Sequence, residues 1–168
     1  MKLYRFSPIK NRAQLTKAIQ HTHFACHQLC KQALGKYLPV AGNIGIFCHY
    51  EDEYEYLIKV RKELTDGTDS FNQKYFRLHE PIMVPAKGNI PEVAYTHFYI
   101  RQPDPYRSQV GDVDFYLESE KYNKLKKAVK VGKIKGARIF PRPDLDMIEL
   151  LDPDVDCCSY ITTWRMEK

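Results

Sequence analysis

The chain has 168 residues, of which 43% are hydrophobic and 28% charged, with a formal net charge of +5. Those proportions fit one globular domain and exclude disordered, collagen-like and repeat architectures. No run approaches the ~20 consecutive apolar residues of a membrane-spanning helix.

Residues 1–50 carry seven cations (Lys2, Arg5, Lys10, Arg12, Lys17, Lys31 and Lys36), and the first acid is Glu51. The opening Met1-Lys2-Leu3-Tyr4-Arg5-Phe6 lacks the apolar stretch of a secretory leader. Asn11, with Gln14 three positions on, has the pattern of a capping box. Beyond it Leu15, Ala18, Ile19, Cys26, Leu29, Cys30 and Ala33 fall on one helical stripe, and Gly35 is a natural stop. Residues 12–35 are therefore expected to form a long amphipathic helix with a basic outer face.

Gly42-Asn43 reads as a turn, and 44–50 (IGIFCHY) reads as a buried strand, apolar at both parities. Glu51-Asp52-Glu53 suit a helix N-terminus, and Asp66-Gly67 reads as that helix's end. Strands are expected over 75–84, 94–101 and 112–117. The second is aromatic and β-branched, and the third alternates cleanly. A helix over 119–131 turns Tyr122, Leu125, Ala128 and Val129 inward, and 136–141, 147–151 and 157–163 read as further strands. The whole of 1–168 is expected to be a single α+β domain. In it a mixed or antiparallel sheet carries the long N-terminal helix and two further helices on one face. The order strand-helix-strand-strand comes twice, in a ferredoxin-like or a paired βαβββ arrangement.

Several groups of side chains have the chemistry of a site. His23, Cys26, His27 and Cys30 follow i, i+3, i+4, i+7 spacing, which suits zinc ligation from a helix face. Four side chains spread over two turns, ~10 Å, cannot all reach one ion, so Cys48 or His49 would have to contribute. The simpler expectation is that the cysteines pack as small hydrophobes while the imidazoles keep one nitrogen wet at the stripe's edge. Asp112 and Asp114 are two apart on one strand face, a geometry that holds Mg²⁺. The segment Gly111-Asp112-Val113-Asp114-Phe115 is similar to the D-h-D strand of the nucleotidyltransferase superfamily. That resemblance implies a third acid on a later strand, from Asp144, Asp146 or Glu149. The family's upstream Gly-Ser signature has no counterpart in Tyr106-Arg107-Ser108-Gln109-Val110.

Tyr95-Thr96-His97-Phe98-Tyr99-Ile100 resembles a first strand of the vicinal-oxygen-chelate fold, and Met147–Pro153 resembles its closing strand. The implied metal ligands are His97 and Glu149. On strand 94–101, Tyr95, His97, Tyr99 and Arg101 share one parity, and Tyr116 adds a further ring, so the face could stack bases and grip phosphates. A second basic run (Lys121, Lys124, Lys126, Lys127, Lys130, Lys133, Lys135, Arg138) precedes an acidic one. The five cysteines, at 26, 30, 48, 157 and 158, form no C-x-x-C pair and include two neighbours, so reduced thiols in the cytoplasm are expected.

These observations favour a small intracellular binding domain without catalysis that engages nucleic acid or another polyanion. The expected contacts are Lys10, Arg12, Lys17, Lys31, Lys121, Lys124 and Lys127, with Tyr95, Tyr99 and Arg101 as stacking partners. No cofactor, resident metal or membrane contact is expected. The alternatives are a metal-dependent enzyme built on Asp112 and Asp114, or on His97 and Glu149, with Mg²⁺ or Zn²⁺, and an assembly module. In the last, the long helix could pair with a second copy.

Overall fold

The computed structural model of the chain describes residues 5–68, 74–143 and 145–163. Helix α1 (Arg12–Leu34) starts where the sequence indicates: the Asn11 side chain accepts from Gln14 N at 2.9 Å, and Gln14 Oε1 accepts from Lys10 N at 2.7 Å. It stops at Gly35, whose φ of 72° lies in the left-handed region. Strand β1 (Val40–Phe47) follows, then α2 (Glu51–Leu64), β2 (Thr65–Thr68), β3 (Phe76–Val84) and β4 (Val93–Arg101). The second half holds β5 (Gly111–Tyr116), α3 (Ser119–Lys130), β6 (Ala137–Phe140), β7 (Met147–Leu150) and β8 (Cys158–Thr162). Asp66-Gly67, expected to end α2, lies within β2, a short edge strand along β3.

The strands form one eight-stranded sheet in the order β2-β3-β4-β1-β5-β8-β7-β6. Each half is a βαβββ unit whose first strand pairs in parallel with its last (β1 with β4, β5 with β8). The two first strands meet antiparallel at the centre and join the halves. The arrangement is the paired βαβββ one and not the ferredoxin-like one.

All three helices cover one face. Leu57 and Val60 of α2, Tyr122 and Val129 of α3, and the apolar stripe of α1 share a core with Ile44, Ile46, Phe98, Ile100, Val113, Phe115, Ile148, Leu150 and Ile161 of the sheet. Burial on this scale is the main source of stability. Glu53, in the first turn of α2, accepts from Ile9 N and His49 N at 2.9 Å each, tying the N-terminal segment to the sheet. The opposite face has a separate small cluster of Phe47, Cys158 and Tyr160, packed with Tyr99, Phe140, Met147 and Leu151. No helix of the described residues covers that side, and it becomes a cup.

Candidate ligand site on the open sheet face

Strand alternation decides which side chains line the cup. Across the sheet one row runs Tyr99, Gly45, Asp112, Cys158, and the next runs Asp114, Tyr160, Glu149, Arg138. Small residues on both sides of Asp112 leave a hollow, and its carboxylate lies across the backbone of β1. A Cβ at Gly45 would stand 2.0 Å from Asp112 Oδ1 and 3.1 Å from Tyr99 Cδ1, so glycine is required for this placement. The resulting cavity is about 180 Å³. Its walls are Tyr75, Tyr99, Phe140, Met147 and Tyr160, and Lys74, Arg101 and Arg142 supply its cations.

The acids at its floor are shut off from water: Asp112 is 5% exposed and Asp114 is 4%. Asp114 Oδ2 accepts from Tyr75 Oη at 2.9 Å and from Asn43 Nδ2 at 3.2 Å, whereas its Oδ1 is buried with no partner among the described residues. Burial, and then the neighbouring Asp114 charge, push the Asp112 carboxyl up to about 7, against the pull of Lys74, Arg101 and Arg107. The same burial pushes the Tyr75, Tyr99 and Tyr160 hydroxyls up, so at neutral pH they are hydrogen-bond donors and not phenolates. Tyr160 Oη donates to Glu149 Oε1 at 3.0 Å, and Arg138 Nε closes on Glu149 Oε2, so Glu149 is held by its neighbours beside the cup. Lys74 Nζ stands 4.4 Å from the Tyr99 ring centre, and the Arg101 guanidinium 4.9 Å from that of Phe47.

Of the residues singled out from sequence, Asp112, Asp114, Tyr99 and Arg101 come together here. Tyr95 does not. Thr96 Oγ1 and His97 Nδ1 meet at 3.0 Å, although neighbours on a regular strand point to opposite faces. Alternation therefore breaks at that point, in line with the register shifts of β3 against β4 and of β1 against β5, where Gly42 takes φ 92°. Tyr95 is thrown to the helix side, fully buried, with its hydroxyl 2.7 Å from His23 Nδ1. It cannot stack on a nucleobase.

His97 pairs across β1 with Asn43 and lies outside the cavity lining. β4 and β7 are separated by β1, β5 and β8. His97 and Glu149 thus stand four strand spacings apart, ~19 Å along the sheet, and cannot share an ion. The paired βαβββ order is the part of the vicinal-oxygen-chelate resemblance that the fold carries; its metal ligands are not brought together. Asp112 and Asp114 likewise gain no third ligand among the described residues. Asp146 pairs instead with Lys126 at 2.7 Å, and Asp144 lies outside the described residues. The group of described His, Cys, Asp and Glu side chains whose ligand atoms lie within 4.8 Å of one another is His21, Asp156 and Cys157. There Asp156 is already gripped by His21 Nε2 at 2.6 Å and Arg5 Nε at 3.3 Å, a pairing that fastens the N-terminal segment.

The helix cluster is core. His23 and His27 are 0% and 1% exposed, not wet at the stripe's edge as expected. Burial and the His27 ring beside it push the His23 imidazole down to about 3. His27 Nδ1 donates to His23 O at 2.9 Å, Cys26 Sγ to Cys158 O at 3.2 Å and Cys30 Sγ to Lys36 O at 3.6 Å. Cys48 is buried, and His49 Nδ1 bonds Ser7 Oγ at 2.6 Å.

The basic residues Lys10, Arg12, Lys17, Lys31, Lys121, Lys124 and Lys127 are all exposed, on the helix side away from the cup. Arg12 pairs with Glu63, Lys121 with Glu118 at 3.0 Å and Lys124 with Glu120 at 2.6 Å. Lys31 Nζ donates to Gly35 O at 2.7 Å, capping α1. Stacking residues and cations therefore do not form one surface.

Sequence reasoning missed Gly45, Lys74, Tyr75, Phe140, Arg142 and Tyr160. The parity of Cys158 and Tyr160 beside Asp112 and Asp114 was a usable signal, but only once β5 and β8 were known to be neighbours. No protein-family profile matches the chain, and no curated protein does. Among solved structures it is similar to a structural-genomics protein designated EC4020, with a TM-score of 0.59 at 15% identity over 99% of this chain and 95% of that one. That likeness shows the fold.

Proposed function

We propose that the protein is a small cytoplasmic binding domain that holds a small molecule in the cup of its open sheet face. The observation that carries this reading is a cavity walled by aromatic rings and lined by Asp112 and Asp114, the second of which has a buried Oδ1 without a partner among the described residues. A buried polar atom without a partner costs about 1–3 kcal/mol, and more for a charged group, so its retention points to a group that arrives from outside. Concave, largely apolar sites with a few converging polar groups are the usual form of a small-molecule site. The five cysteines, all buried and unbonded, support a reducing compartment.

The test is a thermal-shift screen with a library of small polar compounds, run on the wild type and on Gly45→Ala. Hits are expected to raise the wild-type Tm and to lose their effect in Gly45→Ala, where the added Cβ displaces the Asp112 carboxylate. Hits equally effective on both proteins would place the ligand elsewhere.

A second reading keeps the polyanion partner. It is favoured by the absence of acids from α1, which leaves the exposed Lys17 and Lys31 with Arg12 along one helix. It requires affinity for an oligonucleotide to fall steeply between 50 and 200 mM salt, and Lys121→Glu, Lys124→Glu and Lys127→Glu together to weaken binding to all sequences alike.

A further inference from the structure

We propose that the cup is a zwitterion site. It seats the ammonium group of a small molecule against Asp114 and Asp112, and the same molecule's oxyanion, carboxylate or phosphate, against Arg101, Arg142 and Lys74. The proposal rests on the small-molecule reading above and specifies the ligand's chemistry.

The argument begins at Asp114. Asp114 lines the cavity, and while Tyr75 Oη and Asn43 Nδ2 donate to its Oδ2, its buried Oδ1 has no partner among the described residues, so the carboxylate is only half satisfied. A buried carboxylate in that state is satisfied best by a charged N–H donor, whose hydrogen bond is about twice as strong as a neutral one. Asp112, on the same strand face, supplies a second carboxylate within the same cavity. A simple cation is nonetheless a poor match. Three cations line the same cavity, and they would repel it. A simple anion meets the converse difficulty at the floor. A molecule carrying both signs offers a partner to both sets of charges in the lining, and the guanidinium forks of Arg101 and Arg142 suit a planar or tetrahedral oxyanion.

Size and walls limit the rest of the molecule. The cavity of about 180 Å³ lies below the ~300 Å³ at which pockets for drug-sized ligands begin, so the ligand is of amino-acid size. Tyr75 packs against Tyr99, ring centres 5.8 Å apart at 56°, and Phe140 against Tyr160, 5.6 Å apart at 62°, so two contacting ring pairs line the cavity and offer apolar wall to the ligand's body.

The test is calorimetric titration of the intact protein with matched probes: L-phenylalanine, its phosphonic acid analogue, phenethylamine, 3-phenylpropionate and the neutral 2-phenylethanol. One or both zwitterions are expected to bind at least about tenfold more tightly than any singly charged or neutral probe. Which of the two is tighter tells a carboxylate ligand from a phosphate one. Asp114→Asn should remove the advantage of phenylalanine over 3-phenylpropionate, and Arg101→Gln its advantage over phenethylamine. Phenethylamine, 3-phenylpropionate or 2-phenylethanol binding the wild type as tightly as the zwitterions would overturn the proposal while leaving the small-molecule reading in place. Silence from all five probes, in a protein whose cup responds to other small molecules, would also overturn it. Silence from every compound tried would remove the small-molecule reading itself. The ranking on the wild type stands alone if either variant fails to fold.

Discussion

His23 and Asp112 are both buried ionisable side chains, and they act on stability in opposite directions. The imidazole of His23 is pushed down to about 3, and its Nε2 has no partner among the described residues, so a proton there would place a charged N–H in the core. The unfolded chain takes up that proton near pH 6.5. The contribution of His23 is therefore complete above pH 6.5 and lost as pH falls from there toward 3. Asp112 works the other way. Its carboxyl is pushed up to about 7, so the folded state holds a proton that the unfolded chain gives up near pH 4. Stability is then lost as pH rises from about 4 to about 7. Asp112→Asn should leave stability near its wild-type value at pH 4 and raise it by roughly 2–4 kcal/mol at pH 8. Urea midpoints at the two pH values read the difference, and a stabilisation independent of pH would contradict the assignment. His23→Gln should be costly, by about 2–4 kcal/mol at neutral pH, because it removes a packed ring bonded to Tyr95. Its deficit should shrink at pH 5, and the metal content should not change; zinc present in the wild type and lost in this variant would show a ligand role instead.

At the scale of elements, α1 was readable in full because its signals are local. The Asn11–Gln14 cap, the apolar stripe and Gly35 all sit within the element they define. Most other strand positions were also readable, because alternation is a property of the strand itself, but β1 was not: it starts at Val40, passes through Gly42-Asn43 despite their turn composition, and ends at Phe47 instead of residue 50. What each strand faces was less readable. The break at Thr96–His97 goes with the register shift of β3 against β4, which no local pattern encodes, and it divides Tyr95 from Tyr99. β2 was not legible because Asp66-Gly67 has the composition of a helix end, yet an antiparallel neighbour is enough to extend it. The Asp112–Asp114 pair was legible as two carboxylates on one face. Its unfilled acceptor, and the glycine that makes room beside it, were not, because both depend on Gly45, Asn43 and Tyr75 from other elements.

For the molecule as a whole, the two βαβββ halves place their first strands together at the centre of the sheet. The cavity accordingly lies over the middle of the sheet, lined by residues of β4, β5 and β8, with Phe140 of β6 and Met147 of β7 beside them. The helix layer closes the other face and carries the basic surface. Cys26, Cys157 and Cys158 are buried where α1 meets β8, and burial raises the Cys26 and Cys158 thiols well above their ordinary range. They should therefore resist both modification and oxidation in the folded state. A thiol count on protein denatured after native, oxidising purification should return all five; fewer would mean that a disulfide forms.

The cup and the basic helix side lie on opposite faces, so mapping where a partner lands separates the two functional readings. The most direct measurement is an amide NMR titration of the wild-type protein, first with the small-molecule hits and then with a short oligonucleotide. The account predicts that small molecules shift Gly45, Tyr99, Asp112, Asp114, Cys158 and Tyr160 together, with little change along α1. Shifts confined to Lys17, Lys31 and Lys127 and their neighbours, with the cup unmoved by any small molecule, would contradict it.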